Sequence, residues 1–375
     1  MSTPVKNRKR RSRLTGVLPP SLRRPLMGLG CSLCLLPSIH AQETPPDPIF
    51  SEWRDRVDPA VERALQYLTR VQRPDGTFPE NYGDSTGIPA LVGMTFLSKG
   101  HLPTEGPYTQ PLNRCIDFVL ANQKPDGLFE KGHAGTGPMY AHNISTLFLS
   151  EVSGMVDPGR QEKIDGALPK ALSLILRAQA VKKNPQDTGG WRYHPNSTDS
   201  DTSCSGWALM ALRSAKLNGA SIPDEAIAAA VEYLKRHQQK DTGSFGYTDT
   251  NNHAKSLSGM GLLCLELTGL HGSPETVRAA DYVMKTFRSL PGDQFEFYGN
   301  YYNSQGTFQI GGRYWAEYAA WMYETYLATQ SEDGSWDSRE AGRIYGTAMM
   351  ALAFTVPYRQ LPIYQRDETV DETEK

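Results

Sequence analysis

Gln72-Arg73-Pro74-Asp75-Gly76-Thr77-Phe78 is echoed along the chain by Gln123-Lys124-Pro125-Asp126-Gly127-Leu128-Phe129, Gln239-Lys240-Asp241-Thr242-Gly243-Ser244-Phe245 and Gln330-Ser331-Glu332-Asp333-Gly334-Ser335-Trp336. A looser copy runs from Gln179 through an insertion to Gly189-Gly190-Trp191. The aromatic positions are 78, 129, 191, 245 and 336, and the last interval is nearly two units long. A sixth, degraded copy is therefore expected near Phe295-Glu296-Phe297. Repeats of about 50 residues signal a solenoid, a propeller or a toroid. Pro-Asp-Gly suits a tight turn, with Gly at the positive-φ position. The Gln ends a helix, where its amide can bond backbone groups left free, and the aromatic can stack on it to pin the turn.

The flanks choose among these architectures. Before each landmark, apolar residues fall at helical spacing, as in Ala60, Ala64, Leu65, Leu68 and Val71. After each comes a more uniformly apolar run, such as Trp207-Ala208-Leu209-Met210-Ala211-Leu212 or Thr347-Ala348-Met349-Met350-Ala351-Leu352. Several of these runs end in Gly, at 100, 154, 219 and 269, as helix C-caps do. The alternation of propeller strands is absent. Each unit reads as an amphipathic helix, a turn and a helix apolar all round, and the latter belongs inside. The fold expected is all-α, an (α/α)6 toroid. Its outer helices are predicted over 51–72, 111–123, 165–180, 224–239, 274–290 and 314–330. Its inner helices are predicted over 88–98, 141–153, 202–216, 255–268, 301–311 and 344–356.

The ends of the chain differ in charge. Eight Lys and Arg residues and no acidic one precede residue 42, followed by the apolar run Leu26–Leu36 and then Ser38-Ile39-His40-Ala41. That layout is an export signal over 1–41, and its apolar run is too short to span a bilayer. The expected order is then a Pro-rich linker over 42–50, the toroid over 51–366 and an acidic tail over 367–375. The protein is expected to be periplasmic or extracellular, and membrane association is not predicted. Taking eight basic residues from 39 leaves 31 against 41 acidic ones, a net charge of −10, which argues against a nucleic-acid partner. Cys115, Cys204 and Cys264 remain in apolar helical stretches and read as small buried hydrophobes. No metal-binding pattern is present, and neither metal nor cofactor is expected.

Gln-x-x-x-Gly-x-Trp/Phe preceded by an aromatic–aliphatic pair, as in Tyr67-Leu68, Phe118-Val119 and Tyr233-Leu234, resembles the QW repeat of squalene–hopene cyclases. Protein prenyltransferase β subunits share such hairpins. The likeness covers about residues 51–366. It is nearest to secreted bacterial prenyltransferase/squalene oxidase repeat proteins, through Tyr140-Ala141-His142, Asp201–Trp207, Tyr298–Tyr302 and Leu361–Arg366. The resemblance implies a central cavity for a small-molecule, lipid or peptide ligand. It also implies an Asp-x-Asp-Asp-Thr motif whose middle Asp donates a proton to an alkene. The matching segment is Thr198-Asp199-Ser200-Asp201-Thr202, anchored by Trp207, which puts Ser200 at the donor position. A one-residue shift would make Asp199 the donor but breaks the match at Trp207. No Asp-x-Cys pair of the prenyltransferase zinc site occurs.

The inner helices of such a ring point their N-terminal ends toward one mouth. The candidate catalytic residues there are Asp199, Asp201 and His142, and the candidate ligand-binding residues are Tyr140, Trp207, His253, Tyr301, Tyr302, Gln305 and Tyr345. Each has a plainer reading: Asp201 as an N-cap, Asp199 as a solvated loop residue, His142 as a core or cap histidine, the aromatics as packing. Three functions remain open. One is a terpenoid-cyclase-like or prenyl-binding toroid with the acid and zinc motifs degraded. The second is a non-catalytic binding toroid for a lipid, peptide or glycan outside the cytoplasm. The third is a carbohydrate-active (α/α)6 enzyme, for which facing carboxylates would be drawn from Asp84, Asp199, Asp201 and Glu317.

Overall fold

The computed structural model describes residues 47–132, 137–251 and 254–365. Twelve α-helices form among them: α1 (Pro48–Val71), α2 (Gly87–Ser98), α3 (Thr109–Ala121), α4 (Met139–Val152), α5 (Pro158–Ala180), α6 (Thr202–Leu217), α7 (Asp224–His237), α8 (Lys255–Leu267), α9 (Pro274–Thr286), α10 (Glu296–Ile310), α11 (Gly312–Leu327) and α12 (Gly342–Phe354). The even-numbered helices pack in a closed ring, α2 on α4, α4 on α6, α6 on α8, α8 on α10, α10 on α12, and α12 back on α2. The odd-numbered helices pack outside them. The fold is thus the expected (α/α)6 toroid. Its inner helices are buried all round; every residue of α2 is buried.

Eight helices start earlier than the hydrophobic pattern predicted, five of them by one or two residues and three, α1, α5 and α10, by three or more, because polar side chains or proline, not apolar periodicity, open those three. In α1, Asp47 accepts from the Phe50 N–H and Pro48 occupies the first turn, so residues 47–50 belong to the fold rather than to a linker. Asp47 also accepts from Trp315 Nε1 at 2.9 Å, tying the start of α1 to α11. In α5, Asp157 caps the Gly159 and Arg160 N–H groups ahead of Pro158-Gly159. In α10, the polar stretch from Glu296 and Gly299 conceals the first turn. The export signal, His253 and the acidic tail lie outside the described residues.

The landmark glutamines act between repeats as well as within them. Gln72 donates to the Pro111 carbonyl at 3.2 Å, Gln123 to Ala167 at 2.9 Å, Gln179 to Ala226 at 2.9 Å, Gln238 to Glu275 at 2.8 Å and Gln330 to Ala60 at 2.8 Å. Each acceptor belongs to the next outer helix, in its first turn for Pro111, Ala226 and Glu275 and further along for Ala167 and Ala60, and the last bond joins the segment after α11 to α1. Four of these amides also donate to the carbonyl of their own turn glycine. In the fourth repeat the staple is Gln238, not Gln239 as the sequence pattern suggested. Gln239 bonds only Thr242 and Ser244 in its own turn through its side chain. The turn glycines have φ between 81° and 101° and rest on the next outer helix. A Cβ at Gly76 or Gly127 would lie 2.5 Å from the Arg114 or Lys170 carbonyl oxygen, so Gly serves both the conformation and the close approach.

The sixth junction, from α9–α10 to α11, lacks this staple. Phe295–Phe297 is not a landmark turn but the start of α10. A cluster takes its place: Tyr318 donates to Asn300 Oδ1 at 2.8 Å, Tyr326 to Glu296 Oε1 at 2.9 Å, and Phe287 packs edge-on against Trp321.

After α12 the chain folds back under the ring, at the C-terminal ends of the inner helices. Leu361, Ile363 and Tyr364 are buried, and Pro362–Tyr364 packs on α6. The Ile363 N–H donates to Glu151 Oε2 at 3.1 Å and Tyr364 donates to the Leu352 carbonyl at 3.3 Å. This segment forms the floor of the ring.

Gln238→Leu leaves the buried Gly243 carbonyl and the half-buried Glu275 carbonyl without their donor and should cost about 1–3 kcal/mol in urea unfolding. Gln239→Leu should stay within about 1 kcal/mol of the parent, because it loses only turn contacts near the surface. Equal losses, or the reverse order, would contradict the assignment of the staple.

Candidate functional site

Asp201 is fully buried at the N-terminus of α6. Its Oδ1 accepts from the Cys204 N–H at 2.8 Å, and its Oδ2 accepts from Arg192 Nη1 at 3.0 Å. Burial pushes the carboxyl up to about 6, outweighing the cap bond and the guanidinium that favour the anion. Arg192 follows the landmark Trp191 and lies over the Tyr193 ring at 4.1 Å and the Tyr247 ring at 5.3 Å. Its Nε also reaches Asp199 at 3.2 Å, where that carboxylate is largely exposed. The predicted pair Asp199 and Asp201 is therefore divided: one lies inside the mouth and the other on its rim, with Arg192 between them.

Ser200, at the position of the expected proton donor, is buried but turned away from this mouth. Its hydroxyl donates to the Asp187 carbonyl at 2.9 Å, and its N–H donates to Asp187 Oδ1 at 3.2 Å. The insertion in the third landmark supplies Asp187 and so occupies Ser200 in loop packing.

From this mouth an aromatic column runs down α10. Tyr298 shares a 2.6 Å hydrogen bond with Ser203 and contacts Tyr302, ring centroids 4.8 Å apart. Trp207 of α6 stacks on Tyr301 at 5.7 Å with an interplanar angle of 18°, and meets Tyr302 edge-on at 5.5 Å. Tyr140 enters from α4, 5.9 Å from Tyr193, and the Asp201 charge adds to burial in disfavouring ionisation of both Tyr140 and Tyr298. Tyr345 enters from α12 beside Glu340, whose carboxyl burial raises to about 7. Gln305 lies one turn below Tyr301 on the same face of α10, near its hydroxyl without reaching hydrogen-bond geometry. Below it the floor holds Glu151, which accepts from the Ser214 hydroxyl and the Ile363 N–H and which burial raises to about 7.

Of the residues nominated from sequence, Asp201, Tyr140, Trp207, Tyr301, Tyr302, Gln305 and Tyr345 thus share one interior. His142 does not. It is buried facing α5, with Nδ1 accepting from the Phe129 N–H at 3.1 Å and Nε2 facing the Ala171 carbonyl at 3.3 Å. Burial pushes it down to about 4, so it is neutral and carries its proton on Nε2. Ser205, Ser258 and Thr347 accept the landmark N–H groups of Trp191, Phe245 and Trp336 in the same way, so His142 is the second repeat's version of a structural bond. The facing carboxylates of a glycosidase are not formed by the nominated residues. Glu317 lies on outer helix α11, paired with Arg288 at 2.8 Å, and Asp84 is exposed.

Arg192, Tyr193, Tyr247, Tyr298, Glu340 and Glu151 were not nominated as site residues from sequence, although Tyr298 opens the segment Tyr298–Tyr302 that carried the resemblance. A carboxylate inside the otherwise apolar run of α4 is a signal that would have marked Glu151. A cation directly after a landmark aromatic would have marked Arg192. Glu340 carries no such signal.

No family model matches the chain. Drimenyl diphosphate synthase of Streptantibioticus cattleyicolor is 25% identical over 186 residues, 49% of this chain and 32% of that protein. The drimenyl diphosphate synthase of Streptomyces showdoensis is 26% identical over 190 residues, 50% of this chain and 32% of that protein. The matched stretch is thus about a third of the length of these relatives. Among solved structures, type II terpene cyclase MstE from Scytonema superposes with a TM-score of 0.53 at 14% identity, over 82% of this chain and all of that one. A variant of MstE in complex with geranylgeranyl dihydroxybenzoate gives 0.54 at 12% identity, over 83% of this chain. The GH76 alpha-1,6-mannanase of Salegentibacter sp. HEL1_6 gives 0.58 at 8% identity, over 81% of this chain and 99% of that one. At these identities the structural likeness concerns the toroid fold.

The Glu151 carboxyl gives a pH prediction. Its folded value of about 7 exceeds the ordinary 4.5, so the native state holds the proton more tightly than the unfolded chain. Its contribution to stability is present below pH 4.5 and is lost as the pH rises through 7. Relative to Glu151→Gln, which keeps an acceptor for Ile363, the parent should lose up to about 3 kcal/mol between pH 4 and pH 8 in urea unfolding. An unchanged difference, or one of opposite sign, would contradict a buried protonated carboxyl at the floor.

Proposed function

We propose that this chain is an exported terpenoid-cyclase-like toroid that binds an isoprenoid ligand in its aromatic interior and has lost the alkene-protonating acid. The observation that carries the reading is the state of Asp201 within the Trp207–Tyr301–Tyr302 wall. Both oxygens of this carboxyl are occupied as acceptors, one by the α6 cap and one by Arg192. A proton donor for an alkene must be a carboxylic acid with its O–H free to face the substrate. With both oxygens accepting, from the α6 cap and from Arg192, this carboxyl turns no O–H toward a substrate. The aromatic faces beside it suit apolar chains and cations, which bury or stack against them. The partial likeness to drimenyl diphosphate synthases and the terpene-cyclase fold support the isoprenoid class. The basic, apolar and small-residue order of residues 1–41 supports export. The same segment Thr198–Thr202 supports loss of the acid motif, since Ser200 occupies the donor position.

The test uses the mature protein with squalene and separately with prenyl diphosphates, with and without zinc, analysed by gas chromatography and by native mass spectrometry. The expected outcome is no cyclised product, together with a retained isoprenoid. Trp207→Ala should weaken that binding about 10-fold or more, the scale of a large buried aromatic contact. Robust squalene turnover that disappears in Asp201→Asn would overturn the reading, and so would binding indifferent to Trp207→Ala.

A further inference from the structure

Beneath the Trp207–Tyr301 stack the interior changes character. Gln305 is 1% exposed, and neither its Nε2 nor its Oε1 has a hydrogen-bond partner. Tyr302 is fully buried on the same helix, and its hydroxyl also lacks a partner. Positions 298, 301, 302 and 305 share one face of α10, and Trp207 marks that face as the one turned into the ring. A buried amide and a phenol left unpaired are costly, and native proteins place such groups where water or a ligand completes them. A hydrocarbon completes neither group. A hydroxyl or carbonyl oxygen accepts from both the amide nitrogen and the phenol, and an alcohol in addition donates to the amide oxygen.

The charges around this pair narrow the choice further. The floor below it carries the Glu151 carboxyl, and the cation that the site brings to the mouth, Arg192, is already engaged by Asp199 and Asp201. A diphosphate seated at Gln305 would meet the Glu151 carboxyl, and among the described residues the Arg192 guanidinium is held by its two carboxylates. Resting on the isoprenoid reading above, we infer that the ligand is a neutral, oxygenated isoprenoid, an alcohol or carbonyl compound. Its oxygen sits on Gln305 and Tyr302, and its hydrocarbon chain runs past Trp207 and Tyr301 toward the mouth. Gln305 and Tyr302 are specificity-determining residues in this arrangement.

The experiment measures dissociation constants of geranylgeraniol, geranylgeranyl diphosphate and squalene by tryptophan fluorescence. It uses the mature protein, Gln305→Leu and Tyr302→Phe, each checked for folding by its unfolding transition. The parent should bind the alcohol at least about 10-fold tighter than either other probe, as a site that leaves polar groups unpaired against the wrong ligand does. Gln305→Leu should erase the preference for the alcohol over squalene, and Tyr302→Phe should reduce it. Tyr302→Phe changes one atom, so it decides the matter if Gln305→Leu fails to fold. Equal binding of alcohol and squalene by the parent overturns the inference but leaves isoprenoid binding standing. So does a preference unchanged in both variants, which would mean that water completes these groups. Failure of all three probes to bind overturns the isoprenoid reading together with the inference.

Discussion

The glutamine amide at the end of five outer helices is the bond on which the ring depends. An inner helix that is apolar all round has no stable exposure to water, so the hairpins must close on one another. Closure demands a fixed distance between successive outer helices, and the amide sets it by spanning from its own turn glycine to the carbonyl of the next helix. The Gln330–Ala60 bond brings the last repeat onto the first across 270 residues of sequence. Glu80 reinforces that seam at the mouth by accepting the Arg343 and Ile344 N–H groups at the start of α12. At the sixth junction, where no staple exists, the tyrosines of α11 and the polar start of α10 do the same work with larger side chains.

The geometry of the mouth follows from that frame. Because each landmark turn delivers the chain to the N-terminus of an inner helix, the residues just after the turns meet around one opening. The third turn carries an insertion, and its consequences are chemical. Asp187 takes Ser200 out of the interior, while Arg192 enters it and pairs with Asp201. The desolvation that raises the Asp201 carboxyl is opposed by the α6 cap and the guanidinium, and the outcome is an anchored acceptor in an aromatic setting. The other end is closed by the chain's own segment Pro362–Tyr364, which packs over Glu151 and Leu352.

Much of this was legible in the residues. Landmark spacing and apolar runs located all twelve helices, since a helix buried on every side leaves an unbroken hydrophobic stretch and an outer one leaves period 3.6. The starts of α1, α5 and α10 were less visible because capping and proline chemistry open them. Gln238 and Gln239 are adjacent and chemically identical, and only the direction in which each leaves α7 tells them apart. His142 looked catalytic because it heads an inner helix. In the fold, that position accepts the landmark N–H, a job done elsewhere by Ser205, Ser258 and Thr347. Gln305 and Tyr302 were nominated from their place on an inner helix. That their polar atoms stand unpaired is a property of packing across the ring, which no single repeat encodes.

The central claim is that the ring interior seats an isoprenoid against the Trp207–Tyr301–Tyr302 wall. The most direct measurement is a crystal structure of the protein grown with geranylgeraniol. The account predicts continuous ligand density from the mouth beside Tyr140 and Tyr298, along Trp207, to an oxygen within hydrogen-bond distance of the Gln305 amide. An interior without ligand at saturating concentration, or ligand bound only on the outer helices, would contradict it.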